Sequence, residues 1–323
     1  MAANELSEKD LKEILDFSIA LARDAGKLIL EGSDNILRSA AGAVDEKKNS
    51  TDLVTKYDKA VEELVRKRAG SAYPSFGFIG EEETAALGKL PELTDGPTFC
   101  IDPIDGTVNF VHGFPWSCIS IGLINQKRPV LGVIYNPFID WLYYGSLGQG
   151  SYLVKPGGAL FRLPLVPPRP LPSLSQALIA VEWGSDRGII PTKARADSYL
   201  RLAGDGKQIE HGKMVHSLRS TGSAALNFAC VAAGQMDLVW EIGLGPWDVC
   251  AGTIIAQEAG GMVNTSVISV HGGEVTGDAS DKVLTGGKYV VIRAIADSEK
   301  EKGIDIQKRL IKEVCETVID VKL

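Results

Sequence analysis

Carboxylates recur at three places in this chain where an apolar run stops: Glu81 after FGFIG, Asp102 and Asp105 after FCI, and Asp248 after EIGLGPW. Taken singly, each has an ordinary explanation. Aspartates around a proline form an Asx-type turn, a Glu-Glu-Glu run is a solvated turn, and an acid beside Trp247 caps a helix. Taken together they describe a site for a hard cation, because clustered carboxylates repel one another and stay ionised only when opposite charge is close. Mg²⁺ suits such a set: it takes oxygen ligands, keeps several waters and uses one or two carboxylates per ion.

The stretch at 99–114, FCIDPIDGTVNFVHGF, carries the densest signal. Phe99, Cys100 and Ile101 read as the end of a buried strand, and Pro103 as the residue that forces a turn. Such a turn lets Asp102, the Ile104 carbonyl and Asp105 approach one locus from different directions. A helix beginning at Gly106 and Thr107 adds free amide hydrogens and a positive dipole end, a cradle for phosphate.

The elements that must deliver these residues follow from periodicity. Ser7 with Asp10 resembles a capping box, and Leu11, Ile14, Leu15, Leu21, Leu28 and Ile29 form a helical stripe, so a first helix is expected over 8–31. Val54, Val61, Leu64 and Val65 predict a second over 53–69, which carries Asp58. The run at 76–79 reads as a strand ending in Glu81. Apolar runs at 117–125, 129–135, 141–146 and 151–154, separated by NQKRP, NPFID and LGQG, predict an antiparallel meander. The proline-rich LPLVPPRPLP at 163–172 divides a half at 1–162 from a half at 173–323. The second half reads as strand 177–183, a long polar loop, strand 215–219, an Ala-rich helix 223–233, strand 236–240, a helix from Trp247 and a closing helix near 298–318. The stretch at 265–289, rich in Gly, Ser and Asp, reads as a mobile loop.

Composition narrows the function class. A formal charge of −7 over 323 residues offers no electrostatic reason for a nucleic-acid partner. The charged start, MAANELSEKDLKEILD, is unlike a signal peptide, and no stretch approaches the roughly 18 to 20 apolar residues of a membrane span. Five cysteines without CxxC spacing suit reduced core thiols, hence a cytoplasmic protein. Four histidines outside any zinc pattern are ordinary loop or core residues.

GEE at 80–82, DPIDGTVNFVHGFP at 102–115 and WDVCAG at 247–252 resemble the three motifs of the inositol monophosphatase family of metal-dependent phosphomonoesterases. DLVTKYD at 52–58 and RSTGSAALN at 219–227 extend the resemblance over nearly the whole chain. It implies a layered αβαβα sandwich, a homodimer, and one Mg²⁺ on Glu81, Asp102 and the Ile104 carbonyl with a second on Asp102, Asp105 and Asp248. It further implies that Thr107 and Asp58, with Glu81, activate water, and that Gly106 and Thr107 amides contact phosphate. Glu241 and Asp248 would face the sugar, with Ser223 and Ala224 lining the pocket. A third, weaker Mg²⁺ is expected near Glu81 and the loop of Lys47 and Lys48, because a phosphate monoester adds about −2 to a site that two ions make neutral. The reaction expected is hydrolysis of inositol monophosphate by a metal-activated water, with lithium as inhibitor. Relatives acting on other sugar or nucleotide phosphates, and non-catalytic metabolite-binding regulators of the quinate-pathway type, are the alternatives. Cys250 departs from the small apolar residue usual in its motif without touching a ligand.

Overall fold

The capping box at Ser7 is formed in the computed structural model, where the Ser7 amide and hydroxyl both donate to Asp10. The structure describes residues 6–38, 44–47, 53–265, 275 and 281–321. From that cap α1 (Glu8–Arg38) runs seven residues past the expected end, because Gly32, Ser33 and Ile36 continue its buried face. Two short strands follow, β1 (Val44–Glu46) and β2 (Leu53–Thr55), paired antiparallel. The helix expected from 53 therefore starts later, as α2 (Lys56–Ala72). Thr55 and Asp58 form a reciprocal capping box there, which ends the strand and begins the helix.

β3 (Gly77–Gly80) leads into the short α3 (Glu81–Leu87). β4 (Thr98–Asp105) then runs through Pro103, where a turn was expected. Its pairing with the next strand slips between Asp102 and Asp105. A proline lacks a ladder donor but is tolerated at such a bulge. α4 (Thr107–His112) follows, and β5 (Cys118–Asn125), β6 (Arg128–Asn136), β7 (Trp141–Ser146) and β8 (Gly150–Lys155) form the expected meander, extended by an edge strand β9 (Ala159–Arg162). These make a seven-stranded sheet ordered β3-β4-β5-β6-β7-β8-β9.

Past the proline-rich segment, β10 (Leu178–Val181) is followed by α5 (Ile189–Ala203), where sequence suggests only a polar loop. The buried face of α5 consists of Ala194, Arg195, Ser198 and Leu202, so no apolar stripe announces it. β11 (Ser217–Arg219), α6 (Ala224–Ala232), β12 (Leu238–Ile242), α7 (Pro246–Glu258), β13 (Met262–Thr265), α8 (Asp281–Thr285), β14 (Lys288–Ile292) and α9 (Gly303–Thr317) complete the described chain. Most of the expected mobile loop at 265–289 lies outside the described residues. Its end is ordered as α8 and the start of β14. The second sheet is ordered β11-β10-β12-β14-β13.

The layers are αβαβα. Leu21, Ile29, Val61 and Val65 of α1 and α2 pack on Ile119, Ile121 and Leu123 of β5, whose alternation follows the strand period of two. Phe228, Val231, Val249 and Ile255 of α6 and α7 fill the middle layer between Tyr143 and Leu153 of one sheet and Val239, Tyr289 and Val291 of the other. Leu238, Trp240, Ile242, Val290 and Ile292 face the last layer, where α9 contributes Ile306, Leu310 and Val314. No helix among the described residues is long and apolar enough to cross a membrane.

One feature of packing sets where α7 lies. Gly122, Gly132 and Gly145 stand opposite one another on β5, β6 and β7. A Cβ on Gly132 would lie 2.4 Å from the Ala251 carbonyl oxygen of α7, and one on Gly122 the same distance from Cys250 Sγ. The glycines let the helix backbone rest on the sheet, with Asp248 in its first turn beside the end of β4.

Candidate active site

Asp102 and Asp105 are three apart, so an unbroken strand would send their side chains to opposite faces. The slipped pairing removes that problem. Asp102 pairs with Ser120 and Asp105 with Cys118, so three steps on β4 match two on β5, and the extra residue brings both carboxylates to one side. Asp248 arrives from α7, its Oδ2 held by the Gly245 amide at 2.6 Å. Carboxylate oxygens of Asp102, Asp105 and Asp248 lie within 4.8 Å of one another.

These three acids, Glu81, Ile104, Gly106, Thr107, Ala224 and Glu241 line one cleft of about 520 Å³. Glu81 stands outside the compact triplet. Its Oε1 accepts from Lys47 Nζ at 2.7 Å, and the same ammonium reaches Glu82 at 2.6 Å. Burial disfavours the charged Lys47, but the two glutamates outweigh it and hold its pKa above the ordinary lysine value. Glu62 of α2 accepts the Glu82 and Glu83 amides at 2.8 and 2.9 Å, which anchors the start of α3 and leaves Glu81 facing the cleft. A Cβ at Gly80 would sit 2.4 Å from the Glu62 carboxylate, so a larger residue there would push that side chain off the two amides. Lys48 lies outside the described residues.

Negative charge in the cleft is undercompensated. Burial, then the charges of Glu81 and Asp105, push Asp102 and Asp248 well above the usual carboxylate range. Burial moves Asp105 up to about 6, although the Ser223 hydroxyl and the Ala224 and Ala225 amides favour its anion. A cation bound among these carboxyls would favour their ionised forms. The donor set is all hard oxygen, and it fits Mg²⁺ better than a soft metal.

Thr107 Oγ1 lies 3.0 Å from the Ile104 carbonyl and 3.4 Å from Asp58 Oδ1. The other Asp58 oxygen accepts from the Thr55 amide and hydroxyl at 2.7 and 2.6 Å. Burial raises its pKa to about 6. Gly106 precedes the six-residue α4 with φ of +83°, a conformation that favours glycine. A side chain there would also approach the Gly222 and Trp116 carbonyls at 3.0 and 3.1 Å.

Glu241 is buried on the cleft side of β12, its Oε2 without a partner among the described residues. Burial, then the charge of Glu182, pushes its pKa well above the ordinary glutamate value. Ser223 is placed differently from expectation: it caps α6, is 1 % exposed, and gives its hydroxyl to Asp105 in a very short bond, while Ala224 does line the cleft. Sequence reasoning passed over Glu182, Trp183 and Arg187, which form a further wall. Trp183 stacks on Tyr199 at 5.1 Å between ring centres and 8° between planes. The only signal in the sequence was Glu182-Trp183 at the end of an apolar run, the same strand-end placement that marked the other acids.

The family model described as inositol monophosphatase family matches residues 10–310. Protein qutG of Emericella nidulans is 38% identical over 315 residues, covering 96% of this chain and 94% of the relative. Inositol monophosphatase 2 of Saccharomyces cerevisiae is 42% identical over 234 residues, covering 71% and 76%. Among solved structures, the inositol monophosphatase from Anabaena superposes with a TM-score of 0.68 at 26% identity, covering 96% of this chain and 98% of that one.

Proposed function

The chain belongs to the inositol monophosphatase family, and from that premise we propose that it hydrolyses inositol monophosphate to inositol and phosphate with Mg²⁺. The observation that carries the reading is the convergence of Asp102, Asp105 and Asp248 in a cleft that Thr107 and Glu241 also line. Asp102, Asp105, Asp248, Glu81 and the Ile104 carbonyl would hold two ions. When bound, these supply positive charge to the phosphoryl and leaving oxygens and lower the pKa of water.

The chain's own residues do the rest. Thr107 and Asp58 orient the attacking water and take its proton, and a carboxyl with a pKa of about 6 is ionised and basic enough for that at neutral pH. Gly106 and Thr107 amides orient the phosphate. Glu241, buried and short of a partner, offers its carboxyl to a sugar hydroxyl. A third Mg²⁺ at Glu81 would displace Lys47 and enter with the substrate to balance its charge, so its signature is cooperative activation by Mg²⁺. Lithium inhibition belongs to the same reading. So do a reducing cytoplasmic setting, supported by the burial of all five cysteines, and a homodimer, supported by exposed Leu160 and Phe161 on the edge strand β9.

The test is phosphate release from a panel of esters with and without Mg²⁺. Inositol 1-phosphate should exceed glycerol phosphate, fructose 1,6-bisphosphate, histidinol phosphate and a nucleoside bisphosphate by at least tenfold in kcat/KM. Preference for another ester would reassign the substrate. Metabolite binding with no release from any ester would favour the non-catalytic reading.

A further inference from the structure

Glu182 follows directly on β10, is 8% exposed, and has no cationic partner among the described residues. A buried carboxylate in that position must be satisfied by neutral donors. The donors all come from one segment. Oε1 accepts the Thr221 amide at 2.7 Å, the Gly222 amide at 3.1 Å and Asn227 Nδ2 at 2.9 Å, with Thr221 Oγ1 at 3.4 Å. Oε2 accepts the Ser220 hydroxyl at 3.0 Å.

The next three residues of the same segment hold a second carboxylate. Ser223 Oγ and the Ala225 amide donate to Asp105 Oδ2, the amide at 2.9 Å, and the Ala224 amide lies 3.3 Å from Oδ1. Residues 220–225 therefore run as a strap between an acid of the second sheet and an acid of the first. Asn109 fixes it from a third side, its Nδ2 donating to the Thr221 and Trp116 carbonyls at 2.7 Å each.

We propose that Glu182 is a positioning residue: by clamping the Ser220–Gly222 backbone it sets the donors that orient Asp105 toward the cleft, and so governs divalent-cation binding there. The inference rests on the reading of Asp105 as a cation ligand. Glu182 acts through hydrogen-bond acceptance and not through charge. An anion beside a phosphate site works against substrate, and what offsets this cost is the number of donors one carboxylate oxygen collects. A glutamine with its oxygen at the Oε1 position keeps those acceptances, and its amide can donate to Ser220.

The experiment compares wild type, Glu182→Gln, Glu182→Asp and Glu182→Ala. Mn²⁺ binding is followed by electron paramagnetic resonance without substrate, alongside kcat, KM and thermal melting. Glu182→Ala should weaken Mn²⁺ binding at least tenfold and lower kcat more than it raises KM. Glu182→Asp, which keeps the charge but is one methylene shorter, should lose affinity as well, and it serves if the alanine variant does not fold. Glu182→Gln should stay within threefold of wild type in Mn²⁺ affinity. Wild-type affinity in both the alanine and aspartate variants, or loss in the glutamine variant equal to that in alanine, would overturn the clamp and leave the phosphatase reading intact. Wild-type protein that binds Mn²⁺ with the expected ranking of variants but releases no phosphate would sink the phosphatase reading alone. Wild-type protein that binds no Mn²⁺ would sink both.

Discussion

Replacing Asp58 by asparagine should make the chelated protein more stable while removing its turnover. Asp58 is 1% exposed and its folded pKa is about 6 against an ordinary 3.8, with burial the leading cause. For an acid with a raised folded pKa the sign is fixed. Below pH 3.8 both states are protonated and the group costs nothing. As pH climbs through 3.8 to about 6 the unfolded chain ionises first, and above that window the full penalty stands. A shift of that size amounts to about 3 kcal/mol at pH 7. Asparagine relieves it, and with its carbonyl oxygen at the Oδ2 position it keeps both Thr55 bonds. At roughly 2 °C per kcal/mol for a large chain, the variant should melt about 6 °C above wild type at pH 7.5 in EDTA. The gap should shrink to about 1 °C by pH 4. Thermal unfolding by circular dichroism across pH 4 to 8 measures it, and Mg²⁺ added at pH 7.5 should narrow it by supplying wild type with counter-charge. An Asn variant that melts lower than wild type throughout, or a gap independent of pH, would refute the assignment of Asp58 as a desolvated base.

Asp248→Asn should lower kcat at least 100-fold, about 2.7 kcal/mol of barrier, with an unchanged far-ultraviolet spectrum; rates within threefold of wild type would remove Asp248 from the cation site. Gly132→Ala should cost about 1 to 3 kcal/mol or more, since its Cβ meets the Ala251 carbonyl at 2.4 Å and only a shift of backbone, not of a side-chain tip, relieves the clash. Because α7 must lift to make room, Mg²⁺ affinity should fall with stability, and calorimetry on the refolded variant tests both. Glu241→Ala should raise KM for inositol monophosphate about tenfold, some 1.4 kcal/mol, and leave phenyl phosphate within threefold, because only the former has hydroxyls to lose. Equal effects on the two esters would deny Glu241 its sugar contact.

The acids that meet in the cleft were legible in the sequence because carboxylates at the ends of apolar runs are local signals, and the prolines of DPID and GPWD mark where they stand. The amphipathic stripe of α1 and its Ser7–Asp10 cap were equally local. α5 was hidden, because Arg195 and Ser198 occupy its buried face and periodicity weighs only apolar residues. The sequence led to a turn at Pro103 as the means of bringing Asp102 and Asp105 to one locus, whereas a slipped register does so, and it was hidden because pairing with Ser120 and Cys118 belongs to the neighbouring strand. Nor could sequence show that Ser223 serves Asp105, or that Glu182 holds the strap between them, as these partners are 118 and about 40 residues apart. Residue type and short spacing thus determined which groups could act. Which face each group occupies, and which donor it meets, was decided by strand register and layer packing, because those contacts join parts of the chain that no local pattern connects.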